Sequence, residues 1–401
     1  MSLNDTPKSD RIHIGIFGRR NAGKSSIINA ITGQSLAIVS EIKGTTTDPV
    51  QKAMELLPLG PVMIIDTPGI DDMGELGEKR IEKSYQVLNK TDIALLVVDG
   101  TIGLQPEDKA IIEAIKERKL PYIIILNKSD EVTDRYKIEN SIWVSAKTNE
   151  NIWELKERIS KLVPADNMTL KIIGDKLEPN DIAVLVVPID KAAPKGRLIL
   201  PQQQTIRDIL EAGAVSVVTR DTELAETLKS LGKKPKMVIT DSQAFGYVKN
   251  IVPEDILLTS FSILFARYKG DLEEAIKAVK AIENLNDGDT ILIAEGCTHH
   301  RQCDDIGTVK IPKWLKSHID KKINYEFTSG TEFPKDLSKY KAVIHCGGCT
   351  LNEKEMKHRV NVCKSQNVPI TNYGIFIAYV QGILERSIQV FPEYAAKLNA
   401  K

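Results

Sequence analysis

Two groups of residues in this chain of 401 have the types and the spacing to do chemistry. The first is Gly18-Arg-Arg-Asn-Ala-Gly23-Lys24-Ser25, set directly after the apolar run at 12–17. Glycines at this spacing let backbone N–H groups wrap a β-phosphate, while the helix that follows aims its N-terminus at the same charge. Lys24 then reaches the β and γ phosphates and the Ser25 hydroxyl ligates Mg2+, with Asn21, Ala22 and Ser26 completing the cradle.

Further short motifs follow in order. Gly44-Thr45-Thr46-Thr47-Asp48-Pro49 has the form of a switch segment whose Thr46 is a second protein ligand of Mg2+. Asp66-Thr67-Pro68-Gly69 closes an apolar run; Asp66 would hold the Mg2+ shell and the Gly69 N–H would meet the γ-phosphate. Asn127-Lys128-Ser129-Asp130 closes another, and a carboxylate at Asp130 accepts two hydrogen bonds from the guanine edge, which adenine does not offer. Ser145-Ala146-Lys147 backs the guanine carbonyl. Lys24, Thr46, Asp66 and Gly69 are therefore the candidate catalytic residues of a site for GTP and Mg2+. Ile70 stands where many GTPases carry a water-orienting Gln, and its side chain cannot orient water.

The second group is rich in cysteine. All five cysteines lie between Cys297 and Cys363, and Cys297-Thr-His299 and His345-Cys346-Gly-Gly-Cys349 each follow an apolar run. A two-residue gap lets both thiolates of the second motif face one metal centre, and the glycines allow close approach of backbone. This set could build a closed tetrahedral zinc site. It could equally hold an iron–sulfur cluster, which usually takes four thiolates, so that three leave a weaker fourth ligand. Candidates for that position are His299, His345, Asp304, Asp305 and Cys303.

These residues need strand ends to stand on. The runs 12–17, 62–67, 93–98, 122–126 and 142–146 read as buried strands, with helices at 25–33 and 106–119 between them, which predicts a mostly parallel α/β sheet. Pro, Gly and polar residues at 165–180 mark a boundary. A second α/β part follows, with strands at 182–189, 197–201, 215–219 and 236–240 and helices at 205–213 and 223–232. It contains neither Cys nor His, and reads as an interaction or dimerisation module. A third begins near 262, with a helix at 271–285 whose stripe is Leu272, Ile276, Val279 and Ile282, strands at 290–296, 341–348 and 368–374, and helices at about 353–366 and 375–388. The expected architecture is three α/β domains, at 8–165, 180–262 and 263–401, the first with a P-loop GTPase fold of the Ras-like, translation-factor type.

Composition narrows the classes. Lys plus Arg equals Asp plus Glu at 54 each, so no global field recruits nucleic acid or an anionic membrane. No apolar run reaches the roughly 18 residues of a membrane span, and the first residues lack the apolar core of a secretory signal. The expected location is the cytoplasm, where thiols stay reduced and clustered cysteines read as metal ligands. The rival reading, a translation-type GTPase acting on tRNA or ribosome with a structural zinc domain, would need a basic surface with interleaved aromatics. The C-terminal third shows none, and aromatic residues are 5% of the chain.

Asn21 in the P-loop and the Thr45-Thr46-x-Asp48-Pro49 switch resemble the potassium-stimulated GTPases, in which the P-loop Asn helps bind a K+ that supplies the charge of an arginine finger. Taken together, such a domain, a central α/β module and a C-terminal C-x-H…H-C-x-x-C pattern resemble the FeFe-hydrogenase maturation GTPases of the HydF family over the whole chain. The resemblance implies a 4Fe-4S cluster on Cys297, Cys346 and Cys349, with His299 and His345 within the family pattern and Cys303 and Cys363 outside it. It further implies a scaffold or carrier, expected to be a homodimer, that works with two radical-SAM maturases and delivers a diiron precursor to the hydrogenase.

Overall fold

The computed structural model describes residues 6–33, 49–71, 75–163, 171–189, 198–296, 305–330 and 332–399, with 75–80 and 397–399 described by backbone alone. The switch segment with Thr46, and Cys297, His299, Cys303 and Asp304, lie outside the described residues. The chain divides into two compact units, Met1–Thr169 and Leu170–Lys401.

The first unit is built on a six-stranded sheet. Its strands are β1 (Ile12–Phe17), β2 (Val50–Leu56), β3 (Gly60–Asp66), β4 (Ile93–Asp99), β5 (Tyr122–Asn127) and β6 (Ser141–Trp143), in the order β2-β3-β1-β4-β5-β6. All neighbours are parallel except β2, which runs antiparallel to β3. β4 is buried at every position because helices cover both faces, which is why its sequence is continuously apolar. Alternate residues feed two cores. Ile14, Ile16 and Leu95 pack with Ile27 and Ile31 of the helix Lys24–Thr32. Phe17, Met63 and Leu96 pack with Ile111 and Ile115 of the helix Pro106–Glu117. β1 sits between β3 and β4, so the direction of winding reverses there, and the crevice at the carboxyl end of such a point is where open α/β sheets bind ligands.

The second unit holds two wholly parallel four-stranded sheets. One contains β7 (Ile182–Val186), β8 (Val215–Thr219), β9 (Met237–Thr240) and β10 (Leu257–Ser260), in the order β10-β9-β7-β8. The other contains β11 (Thr290–Ala294), β12 (Asn324–Thr328), β13 (Ala342–His345) and β14 (Ile370–Asn372), in the order β12-β11-β13-β14. One apolar cluster running from Ile172 to Phe391 serves both. The helix Phe261–Lys269 leaves β10 with Ile263, Leu264 and Phe265 buried in that cluster, and the carbonyl of Ser262 accepts from Asn372 Nδ2 at the end of β14 (2.8 Å). The helix therefore joins the carboxyl edge of one sheet to that of the other.

Most predicted elements occur, and the differences have local causes. The stretch 197–201 was expected to be a strand, yet a helix begins at Leu200 and runs to Glu211. Pro201 in its first turn has the φ a helix start needs, and Gln202 Oε1 accepts the N–H of Ile199 (3.0 Å). The helix expected at 375–388 is two, Tyr373–Val380 and Leu384–Ile388, divided at Gly382, whose φ is +67°. The four stripe residues of the 271–285 segment are all buried; Leu272–Val279 is α-helical and Lys280–Asn284 continues it as a tighter 3-10 turn.

Candidate functional site

β1 delivers the chain into the phosphate loop at Gly18, whose φ is +145° and whose missing Cβ would lie 2.2 Å from the carbonyl oxygen of Val97. Only glycine lets this loop rest on β4. Gly23, at φ +92°, opens the helix Lys24–Thr32, where Ser25 and Ser26 occupy the first turn. Lys24 Nζ arches back over the loop to the carbonyls of Gly18 (2.8 Å) and Arg19 (2.9 Å). Asn21 is exposed, at φ +60°.

Asp66 stands at the end of β3, in register with Ile16. Burial pushes its carboxyl above the ordinary range, opposed by the nearby Lys24 ammonium, and its buried Oδ1 has no hydrogen-bond partner among the described residues. A buried carboxylate oxygen of this kind fits a hydrated hard cation such as Mg2+. Gly69 packs against the phosphate loop: a Cβ there would lie 2.4 Å from Arg20 Cγ. The Arg20 N–H donates to Asp71 Oδ1 (2.7 Å). Ile70 is 3% exposed and belongs to the core cluster that includes Phe17, Ile65 and Val87.

The residues expected to read the base lie at the ends of β5 and β6. Asn127 is buried and ties two loops together: its Nδ2 donates to the Ala22 carbonyl (3.1 Å), and its Oδ1 accepts from the Ala146 N–H (3.2 Å). Lys128, at φ +65°, places Nζ on Asp99 Oδ2 (2.5 Å). Asp130 is exposed; its Oδ1 accepts from Ser145 Oγ (2.7 Å) and its Oδ2 lies 3.7 Å from Lys147 Nζ. The Ser145 hydrogen bond is the largest influence holding the Asp130 carboxyl below its ordinary range. Ser145 Oγ accepts in turn from the Thr148 N–H (3.0 Å). Motif reading missed the braces behind this loop. Glu150 accepts from Ser129 Oγ (2.6 Å) and Arg135 Nη1 (2.6 Å), and Asp108 lies 3.3 Å from Arg19 of the phosphate loop. Neither acid sits in a recognisable motif, so no sequence signal announced them.

In the second unit, Cys346 directly follows β13, and its N–H continues the ladder to the Ala294 carbonyl (2.9 Å). Its Sγ accepts the N–H of Gly296 (3.0 Å) and of Gly348 (3.4 Å). Gly348, at φ +61°, turns the chain so that Met356 can pack where a Cβ would be. Cys349 is half-buried; burial, and next the neighbouring Cys346, push its thiol up to about 11. Uptake of a metal there would therefore have to displace a proton. The buried Lys269 donates to the Leu351 carbonyl (3.2 Å) and meets that of Cys349 (3.5 Å).

Of the other candidates, His345 is buried and bonded at both ring nitrogens, to the Cys346 carbonyl (2.7 Å) and to Arg359 Nη1 (3.0 Å). Asp305 Oδ2 caps a helical turn by accepting from Thr308 N–H (2.8 Å) and Oγ (2.9 Å). Cys363 is fully buried in the helix Glu353–Ser365 beside Leu292 and Val343, with its thiol pushed up to about 12. Among the described residues no group of three or more His, Cys, Asp or Glu side chains is placed to hold a metal ion. Cys297 follows Gly296 in the chain, one peptide from a group that touches Cys346 Sγ. The two described thiols, Cys346 and Cys349, with N–H groups directed at the first, have the chemistry of thiolate metal ligands.

Comparison with known proteins agrees with this division. Residues 13–128 match the family described as 50S ribosome-binding GTPase. The tRNA modification GTPase MnmE of Desulforamulus reducens is 35% identical over 164 residues, which is 38% of this chain and 35% of that protein. GTPase Der of Kosmotoga olearia is 34% identical over 135 residues, 32% of this chain and 30% of the relative. The chain thus spans about a third of the length of these curated relatives. Era of Aquifex aeolicus bound to GDP.AlF4- aligns with a TM-score of 0.34 at 20% identity, covering 55% of this chain and 98% of that one.

Fold and matches together define a P-loop GTPase domain joined to a two-sheet α/β assembly region. That region matches the Hydrogen maturase F dimerization domain over 172–270 and the Hydrogen maturase F tetramerization domain over 273–390. The chain belongs to the hydrogen maturase F family, HydF. Among the described residues, no helix is long and apolar enough to cross a membrane.

Proposed function

We propose that this protein hydrolyses GTP in its first domain and carries a 4Fe-4S cluster in its last, serving as scaffold and carrier for the diiron precursor of the FeFe-hydrogenase active site. Its working parts are a GTPase domain at 8–165, an assembly domain at 180–262 and a cluster domain at 263–401. In the first, Gly18, Ala22, Gly23 and Lys24 cradle the phosphates and Ser25, Thr46 and Asp66 serve Mg2+. Gly69 meets the γ-phosphate, while Asn127, Asp130 and Ser145–Lys147 read guanine. Asn21 contributes to a K+ site, which supplies the positive charge that an arginine finger would give, while Ile70 leaves the attacking water without an orienting side chain.

The observation that carries the cluster reading is the Cys346 sulfur facing the N–H groups of Gly296 and Gly348 at the carboxyl edge of β11 and β13. Such bonds stabilise thiolate and sulfide charge. Cys297, Cys346 and Cys349 hold the cluster, and the candidates for the fourth ligand are His299, His345, Cys303, Asp304 and Asp305. The diiron precursor is cargo, received through two radical-SAM maturases and passed to the hydrogenase in the cytoplasm by an oligomer of this chain. Protein co-expressed with both maturases should activate a purified apo-hydrogenase, and its Cys346→Ala variant should not. Equal hydrogen evolution from the two would exclude the carrier role.

A further inference from the structure

Arg359 is the bulkiest fully buried side chain among the described residues, and one of its bonds goes to His345, which adjoins the cysteine loop. Its Nε donates to Glu355 Oε1 (3.0 Å), its Nη2 to the Gly330 carbonyl (2.8 Å) and its Nη1 meets His345 Nε2 (3.0 Å). The guanidinium lies over the Phe333 ring, 5.2 Å from its centroid. Glu355 is itself buried, and its N–H is held by Asn352 Oδ1, which caps the helix Glu353–Ser365 directly after the cysteine loop.

These contacts determine the state of His345. A guanidinium is always protonated and can only donate, so Nε2 must offer its lone pair. The Cys346 carbonyl can only accept, so Nδ1 must carry the proton. Both constraints select the same neutral tautomer, and together they use every polar position of the ring. Through its Nδ1–H, His345 fixes the carbonyl of Cys346. That carbonyl begins the peptide leading into Gly347, and the next N–H, that of Gly348, points at Cys346 Sγ.

We propose that Arg359 is a positioning residue. It takes up the imidazole nitrogen through which His345 could ligate a metal, and so makes His345 a strut that sets the Cys346–Gly348 turn. This rests on the reading that Cys346 is a metal ligand, while the loop geometry itself can be tested without metal. His345 is then no ligand.

The test uses the full chain and three variants: His345→Phe, Arg359→Lys and the double change Glu355→Gln with Arg359→Gln, which removes both buried charges together. In metal-free protein, alkylation by N-ethylmaleimide is followed residue by residue with mass spectrometry. Cys346 should react about tenfold more slowly in each variant, because its reactive thiolate loses the Gly348 N–H, a hydrogen bond to a charged group, while Cys363 stays protected as the control for folding. Arg359→Lys keeps a cation against Glu355 and serves where the double change exposes Cys363. In protein reconstituted with iron and sulfide, nitrogen hyperfine coupling in the EPR spectrum should be the same with and without His345. Unchanged Cys346 reactivity in all folded variants would overturn the proposal. So would a nitrogen coupling lost in His345→Phe, because that would make His345 a ligand. If the chain took up zinc alone, the cluster reading would fail and the alkylation result would still decide the role of Arg359.

Discussion

At the scale of single residues, the nucleotide site depends on groups that are held in place by neighbours outside the motifs. Asp130 is the candidate guanine acceptor, and Ser145 orients it by donating to one of its carboxylate oxygens, which also lowers its carboxyl below the ordinary range. Asp130→Asn replaces one acceptor by a donor aimed at the guanine N–H groups. GTP affinity measured by calorimetry should fall by at least about tenfold, the loss expected for charge-assisted hydrogen bonds, with ATP binding no stronger. An unchanged GTP affinity would remove Asp130 from base reading. Ile70 was legible as a residue unable to orient water, and the structure adds that it is committed to the core. Hydrolysis should accordingly be slow, and faster in K+ than in Na+ at matched ionic strength. Equal rates would take Asn21 out of the account. The cysteines were legible by their spacing, but the part played by His345 was not. A His beside a Cys reads as a ligand until Arg359, fourteen positions downstream of it, is seen on its ring.

At the scale of elements, the strands that read most clearly were those buried on both faces, such as β4 and β5, because continuous apolar runs have few other interpretations. β12 was missed because it is an edge strand in which none of its five residues is buried, and β2 because it is mostly exposed. The stretch 197–201 has a strand's composition, and the helix-starting geometry of Pro201 and Gln202 overrides it. Edge strands also carry a consequence. β8 ends its sheet within the region that matches the dimerization domain, and its Val215 and Val218 are 44% and 45% exposed. Val218→Lys should raise the dissociation constant of the oligomer by at least about tenfold in analytical ultracentrifugation, because a charge on an edge strand opposes pairing. An unaltered mass distribution would place the subunit contact on another element.

At the scale of the whole molecule, the sequence points to a nucleotide site and a cysteine site in separate parts, and the two fall in different compact units. The shared core of the two assembly sheets was not legible, since hydrophobic periodicity shows that a face is buried but not against what. Nor could spacing alone choose between zinc and an iron–sulfur cluster, because both use thiolates at a two-residue gap. The N–H groups of Gly296 and Gly348 on Cys346 Sγ are a property of the folded loop that no motif encodes. The central claim is that this loop binds a cluster, and the direct test is the metal and sulfide content of the full chain reconstituted without oxygen, read with its EPR spectrum. The reconstituted chain should hold about four irons and four sulfides, lost when Cys297, Cys346 or Cys349 is changed to Ala and kept in Cys363→Ala. One zinc per chain, with no sulfide and no visible absorbance, would contradict that claim.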